Sequence, residues 1–166
     1  MRKPDKQLLK YAEVFFKLSF AIHSTGSTKL EYLDTFSWGK HVLSKKDLKL
    51  TKKQEELGIA LLHHVATYTL ASQIDTTLQN LYKNRFKHRR KVVRNASWIA
   101  RLVRNAFAHN PFYPQWIIQP EAKNSVFEVE DIIKIKTSNL DGKFVSRHDY
   151  GGPLALLSLS EFVRIL

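Results

Sequence analysis

Apolar residues recur every three or four positions along three stretches of this chain, which is the spacing of one face of an α-helix. The first stretch covers residues 5–23, the second covers 52–84, and the third surrounds Trp98 and ends at Asn110-Pro111. These patterns predict three long helices. Their inner positions are Leu8, Leu9, Ala12, Phe15, Phe16, Phe20 and Ile22 in the first, Leu57, Leu61, Val65, Tyr68, Ala71, Leu78 and Leu81 in the second, and Trp98, Ile99, Leu102, Val103, Ala106 and Phe107 in the third.

Capping-box patterns mark two helix starts between the first and third stretches. Thr51-x-x-Gln54 predicts the beginning of the second long helix, and Thr28-x-x-Glu31 predicts a short additional helix. Residues 40–50 are rich in lysine and read as a connection between them. The apolar residues of the short helix would be Leu30, Leu33 and Phe36.

The pattern changes after Pro111, where an aromatic loop is followed by short apolar runs and turn residues. Asp141-Gly142 predicts a hairpin turn, Gly151-Gly152-Pro153 a break, and Ser158-x-x-Glu161 the cap of a final helix. The aromatic loop contains Phe112, Tyr113, Pro114 and Trp116. The predicted strands are residues 116–118, 125–129, 132–136 and 144–146.

These elements predict a mainly α fold: a bundle of four to five helices over residues 1–112, with a small β-containing extension over residues 113–166. The extension is expected to pack on the same domain, because 166 residues are the usual size of a single core.

Composition narrows the choice of partners. The net charge of +12 favours a polyanionic partner, which is RNA, DNA or an acidic protein. The absence of cysteine excludes disulfides, thiol catalysis and cysteine-type zinc sites, and it favours a cytoplasmic location. The sequence has no apolar run near twenty residues and no lipidation motif, so no membrane association is expected.

The densest cationic segment is residues 82–94, which we call the basic tract. It lies immediately before the third long helix, and aromatic residues interrupt it. We interpret it as a guide for RNA phosphates, although such a run is also typical of a solvated helix face. The residues expected to contact RNA are Lys83, Arg85, Lys87, Arg89, Arg90, Lys91 and Arg94 of the tract, together with Arg101.

The end of the third helix reads Arg104-Asn105-x-x-x-His109, and Asn110-Pro111 follows it. Arginine offers a permanently charged fork of donors that suits a phosphate, and histidine takes or gives a proton near neutral pH. Asn105 and His109 are four residues apart and can touch, but Arg104 and His109 point about 140° apart on a straight helix. Either the helix unwinds near Pro111 or the two groups meet through a second chain, and the spacing favours a site completed by a second chain.

This motif in a basic, cysteine-free helical context resembles the HEPN superfamily, and the resemblance covers roughly residues 1–112. Members include toxin RNases, abortive-infection proteins and RNase domains of CRISPR effectors. The resemblance implies metal-independent RNA cleavage through attack by the 2′-OH, at a site where two copies meet. Arg104 and His109 would be catalytic, and Asn105 would occupy the family's polar position. A toxin or phage-defence role and an acidic antitoxin or other partner protein would follow.

Two other functions fit the same residues. One is a catalytically silent module that binds RNA or a nucleotide, and the other is a protein whose basic face meets an acidic partner. In either case Arg104 would be a solvated helix residue and His109 a helix cap. Asp75 has two readings as well, as a carboxylate that orients His109 or as a solvated acidic residue.

Neither a metal nor a cofactor is expected. The sequence has no phosphate loop, no glycine-rich dinucleotide turn and no His-Glu-x-x-His pair. His63 and His64 are adjacent and therefore point about 100° apart on a helix, which makes them poor joint ligands for one ion.

Overall fold

The computed structural model describes residues 3–25, 35–38, 40–44, 46 and 50–166. This part of the chain is mainly helical, and its strands form two small antiparallel hairpins. The helices are α1 (Lys3–Thr25), α2 (Lys52–Leu81), α3 (Lys91–Ala108) and α4 (Pro153–Ile165). The strands are β1 (Thr35–Trp38), β2 (His41–Ser44), β3 (Val126–Val129) and β4 (Ile133–Lys136). Short 3-10 turns cover Arg85–Lys87, Pro120–Ala122 and Arg147–Tyr150.

Helix α2 lies between α1 and α3 and packs against both. Its start is confirmed: the Thr51 hydroxyl accepts from the Gln54 backbone N–H, and the Gln54 side chain accepts from the Thr51 backbone N–H at 2.8 Å. This reciprocal pair satisfies donors that the first helical turn leaves unpaired. The helix ends at Leu81 rather than at residue 84.

The buried face of α2 differs from the predicted stripe. Leu57 and Val65 are exposed, whereas the side that faces the core includes polar residues such as His63, Thr67 and Asp75. Apolar spacing alone cannot identify a buried face that contains polar residues. The predicted inner stripe therefore included residues that lie on the solvent side of the helix. Leu8 of α1 is likewise exposed. The predicted stripe of α3 is buried, and Trp98 is partly buried at its edge.

The first hairpin corrects two predictions. Strand β1 pairs with β2 from Thr35 opposite Ser44 to Trp38 opposite His41, where the sequence had predicted helix up to Phe36 and an irregular lysine-rich connection. β-Branched and aromatic residues favour strands over helices, and this preference prevails here. The predicted Thr28-x-x-Glu31 cap lies outside the described residues.

In the extension, strands β3 and β4 are confirmed, with Val126 opposite Lys136. The predicted strands 116–118 and 144–146 reduce to an isolated bridge between Gln115 and Phe144. Gly142 adopts a positive φ of 77° at the predicted turn, and its N–H donates to the Trp116 carbonyl at 2.8 Å. The turn was therefore predicted correctly, but the pairing on either side of it is limited to one bridge and does not form strands.

Helix α4 begins earlier than predicted. Gly152, with a φ of 89°, precedes Pro153 at the first helical position, so the helix starts there and not at Ser158. Proline is favoured at this position because its missing N–H would have no helical partner. The predicted break is therefore a helix start.

The extension shares its core with the bundle. Helix α4 packs on α1 and α2, and β3 packs on α3. Trp116 is fully buried, and its indole N–H donates to Asp149 Oδ2 at 2.7 Å. The two parts of the chain therefore bury a common set of apolar side chains.

Candidate active site

The Arg104–His109 motif lies at the carboxyl end of α3. Arg104 and Asn105 are half-buried in the last turns, and His109 is the exposed C-cap residue with helical φ and ψ of −77° and −38°. Asn110 Oδ1 then accepts from the backbone N–H groups of Phe112 and Tyr113 at 3.0 and 3.2 Å. This turn ends the helix and leaves the imidazole of His109 at the surface.

A buried carboxylate fixes the position of Arg104. Asp75 of α2 is 2% exposed, and its Oδ2 lies 3.3 Å from Arg104 Nη1. Its Oδ1 lies 2.8 Å from Nη2 of Arg85, which is itself 4% exposed. Arg85 also donates to the Asp75 backbone carbonyl. One carboxylate thus holds two guanidinium groups, one internal and one that reaches the surface.

Asp75 is buried, so the reading of it as a solvated residue is wrong, and its carboxylate contacts Arg104 and Arg85. The reading that it orients His109 stays a prediction. The Asp75–Arg85 ion pair is protected from water, and removal of one partner of such a buried pair strongly destabilises the fold. Burial lowers the pKa of Arg85, and the charge of Asp75 opposes that shift.

The structure does not bring the three motif residues into contact within one chain. In the described residues, no hydrogen bond or ion pair joins His109 to Arg104 or to Asn105. The helical spacing predicted that Arg104 and His109 do not meet, but it also allowed a contact between Asn105 and His109, and no hydrogen bond joins that pair in the described residues. The completion of the site by a second chain stays a prediction.

His64 was missed by the sequence analysis. It projects from α2, and its Nδ1 donates to the Pro111 carbonyl at 3.0 Å, while its ring meets the ring of Phe107 edge-on at 5.7 Å. Burial lowers the pKa of His64, with Arg147 adding to the shift, and the neutral ring keeps an N–H for Pro111. His64 therefore ties the segment after His109 to α2. The adjacent pair His63-His64 on a predicted helix is the signal in the sequence that points to this residue.

The basic tract is divided into surface and anchored residues. Arg85 is the buried member of the tract, and its ion pair with Asp75 offsets its charge. Arg94 donates from Nη1 to the His88 and Arg89 carbonyls at 2.6 and 3.1 Å, which fixes the loop before α3. Arg101 lies with its guanidinium carbon 4.9 Å from the ring centre of Phe86. The exposed members are Lys83, Lys87, Arg89, Arg90 and Lys91.

A second cluster of titratable groups joins α1, α2 and the extension. His63 is 2% exposed, and its Nδ1 lies 3.2 Å from the hydroxyl of Ser19, which itself donates to the Phe16 carbonyl. The ring of His63 stacks on that of His23 at 5.2 Å, and Arg147 lies 2.5 Å from His23 Nε2. Burial first, then Arg147 and the neighbouring histidines, lower the pKa of His63 to about 4. This buried imidazole is neutral at physiological pH.

Among the described residues, no group of three histidine or acidic side chains is arranged to hold a metal ion. None of the helices in this part of the chain combines the length and the apolar character that a membrane span needs. Comparisons with family models, curated proteins and solved structures found no match to the chain.

Proposed function

We propose that the protein is a metal-independent endoribonuclease of the HEPN type. The observation that carries the proposal is the position of Arg104. Its guanidinium is held at the surface by the buried carboxylate of Asp75, and Arg104 lies at the same end of α3 as the exposed His109. A fixed fork of donors and a titratable imidazole are the two groups that transfer of a ribose phosphate requires, and the proposed dimer would bring them together. The charge of +12 supplies attraction for the RNA backbone.

In the proposed reaction, an imidazole of His109 removes the proton of a ribose 2′-OH. The 2′ oxygen attacks the adjacent phosphorus, and the bond from phosphorus to the 5′ oxygen breaks. Arg104 binds the phosphate and stabilises the negative charge of the transition state. The leaving 5′ oxygen takes a proton from water, and the His109 imidazolium releases its proton to the solvent, so the products are a 2′,3′-cyclic phosphate and a 5′-OH.

The proposed site contains Arg104 of one chain and His109 of a second chain in a homodimer. A closed two-fold dimer contains two such sites. The positive charge of both chains would be neutralised by RNA, or by an acidic antitoxin or other protein partner that inhibits the enzyme.

A module that binds RNA without turnover is the second candidate function. It is favoured by the absence, within one described chain, of any contact between His109 and Arg104 or Asp75. Such a module would bind RNA with steep salt dependence but would leave it intact.

An RNase assay separates the two functions. Wild type, Arg104→Ala, His109→Ala and the control His148→Ala are incubated in EDTA with a fluorescent RNA and with its all-deoxy copy. His148 is an exposed histidine of the Arg147–Tyr150 turn, outside the motif. We expect wild type and the control to cut RNA to a cyclic phosphate and to leave DNA intact. The two motif variants should lose at least about 100-fold in rate.

Equal activity of folded wild type and His109→Ala would contradict the nuclease proposal. Intact RNA in all samples, combined with tight binding, would support the silent module.

A further inference from the structure

A cationic cavity opens at Arg85, the internal partner of Asp75. Its volume is about 330 Å³, and it lies between the carboxyl end of α2, the Arg85–Lys87 turn and α3. The positive side chains that line it are Lys83, Arg85, Lys87 and Arg101, and two amides, Gln79 and Asn84, complete the wall. Its size is at the lower end of the range for small-molecule sites.

The charge of the cavity is largely uncompensated. Asp75 offsets Arg85, but in the described part of the chain no carboxylate lies within ion-pairing distance of Lys83, Lys87 or Arg101. Three cations that face one concave space repel each other unless an anion is present. The cavity therefore favours an anionic ligand.

An aromatic ring holds part of this charge in place. Phe86 contacts two guanidinium groups, with the carbon of Arg85 at 4.7 Å and that of Arg101 at 4.9 Å from its centre. Trp98 supports Phe86 from α3 at 4.6 Å. Cation–π contacts restrain the arginines, so less side-chain freedom is lost when a phosphate binds.

The cavity is also next to the proposed scissile position. Arg85 lines the cavity and shares the Asp75 carboxylate with Arg104. Arg101 precedes Arg104 by three residues on α3, which makes them neighbours on the helix surface. A strand whose phosphate sits on Arg104 would therefore place a neighbouring nucleotide at the cavity.

We propose that this cavity is a binding subsite for one nucleotide of single-stranded RNA, adjacent to the bond that is cut. The proposal deepens the nuclease function and rests on it for the placement of the strand. Lys83, Lys87 and Arg101 bind the phosphate, and Gln79 and Asn84 offer donors and acceptors to the base or sugar. A base-paired nucleotide cannot turn into the cavity without leaving its duplex, so the subsite selects unpaired RNA.

Calorimetric titration with adenosine 3′,5′-bisphosphate tests the subsite without any cleavage. The proteins are wild type, Lys83→Ala/Lys87→Ala and a matched control, Lys52→Ala/Lys53→Ala, which removes two exposed lysines from the far end of α2. We expect the cavity variant to lose about tenfold in affinity and the control less than about twofold. Equal losses in both variants, or no binding by wild type, would overturn the proposal.

A second arm distinguishes a strand from a free nucleotide. A 2′-O-methyl RNA pentamer, which cannot undergo 2′-OH attack, should bind at least about tenfold more tightly than the bisphosphate, because it contacts further phosphates. A duplex of the same sequence should bind more weakly than the single strand. A pentamer that binds no better than the bisphosphate overturns the assignment to a strand.

The two proposals fail separately. The bisphosphate should bind His109→Ala as tightly as wild type. If wild type binds the bisphosphate through Lys83 and Lys87 but does not cut RNA, the nuclease function alone is excluded. Conversely, an active enzyme whose KM for RNA is unchanged in Lys83→Ala/Lys87→Ala would remove the subsite and leave the nuclease function in place.

Discussion

Asp75 links the interior of the bundle to its proposed site. Its carboxylate is buried, and it contacts Arg85 inside and Arg104 at the surface. The cost of removing a carboxylate from water is offset only while both oxygens keep their cationic partners. A single residue thus contributes to stability and orients the guanidinium of the proposed site.

Replacing Asp75 with asparagine should destabilise the fold. Asp75→Asn preserves the shape of the side chain but leaves the buried guanidinium of Arg85 without a counter-charge, so the free energy of unfolding should fall by about 3 kcal/mol. Urea denaturation at pH 7 measures the difference. The control Asp131→Asn, at an exposed residue, should change it by less than about 0.5 kcal/mol. A variant as stable as wild type would show that the carboxylate does not support Arg85.

His63 should make stability depend on pH. Its pKa is about 4 in the folded protein against an ordinary value of 6.5, because of burial and the nearby Arg147, His23 and His64. The unfolded chain therefore binds more protons below pH 6.5, and the free energy of unfolding should decrease by about 3 kcal/mol as the pH falls from 7 to below 4. Urea denaturation at several pH values measures this slope.

The variant His63→Gln cannot titrate at this position, so its stability should fall less steeply over the same pH interval. His148→Gln, at an exposed histidine, serves as the control and should keep the wild-type slope. Parallel curves for wild type and His63→Gln would assign the slope to other groups.

At the level of elements, the sequence pattern predicted the three long helices and the strands β3 and β4 well. Helix α3 was the best case because its buried face is almost wholly apolar, as at Ile99 and Val103. Helix α2 was harder because His63 and Asp75 are buried through tertiary contacts that no local pattern encodes. The β1–β2 pairing depends on contacts between two strands, which the helical assignment of Phe36 did not take into account.

The candidate site could be predicted only in part, because local patterns do not encode tertiary contacts. Arg104 and His109 were identified from a local motif and from helical spacing. The partnership of Arg104 with Asp75 joins residues 29 apart in sequence, and that of His64 with Pro111 joins residues 47 apart. Such contacts follow from how α2 and α3 pack, which a single sequence does not reveal.

The contact between α2 and the segment after α3 should affect catalysis. His64→Ala removes the donor to the Pro111 carbonyl and loosens the position of His109, so kcat should fall by roughly tenfold to a hundredfold with a smaller change in KM. His64→Asn retains an N–H donor and should recover part of kcat. Single-turnover assays under saturating RNA measure both. Equal kcat for His64→Ala and wild type, with both folded, would exclude a positioning role.

On the scale of the whole molecule, charge and symmetry oppose each other. Each chain carries +12, so the proposed dimer brings two strongly positive bodies together, and the cost is lowest when the charge faces outward or binds RNA. Salt screens this repulsion, so tests of the dimer belong near physiological ionic strength. In the proposed dimer, Arg104 of one chain would meet His109 of the other, which the spacing along a single straight α3 does not allow.

Mixing two inactive variants tests whether the site spans two chains. In a dimer of Arg104→Ala with His109→Ala, one site pairs the intact arginine of one chain with the intact histidine of the other, and the second site lacks both. Random exchange makes half of the dimers mixed, so an equimolar mixture should recover about a quarter of the wild-type activity per chain. The RNase assay measures this after incubation long enough for subunit exchange, which a tagged copy reports by co-purification. If mixed dimers form and the activity stays at the level of either variant alone, each site must draw Arg104 and His109 from a single chain, and the end of α3 would have to unwind near Pro111 to bring them together.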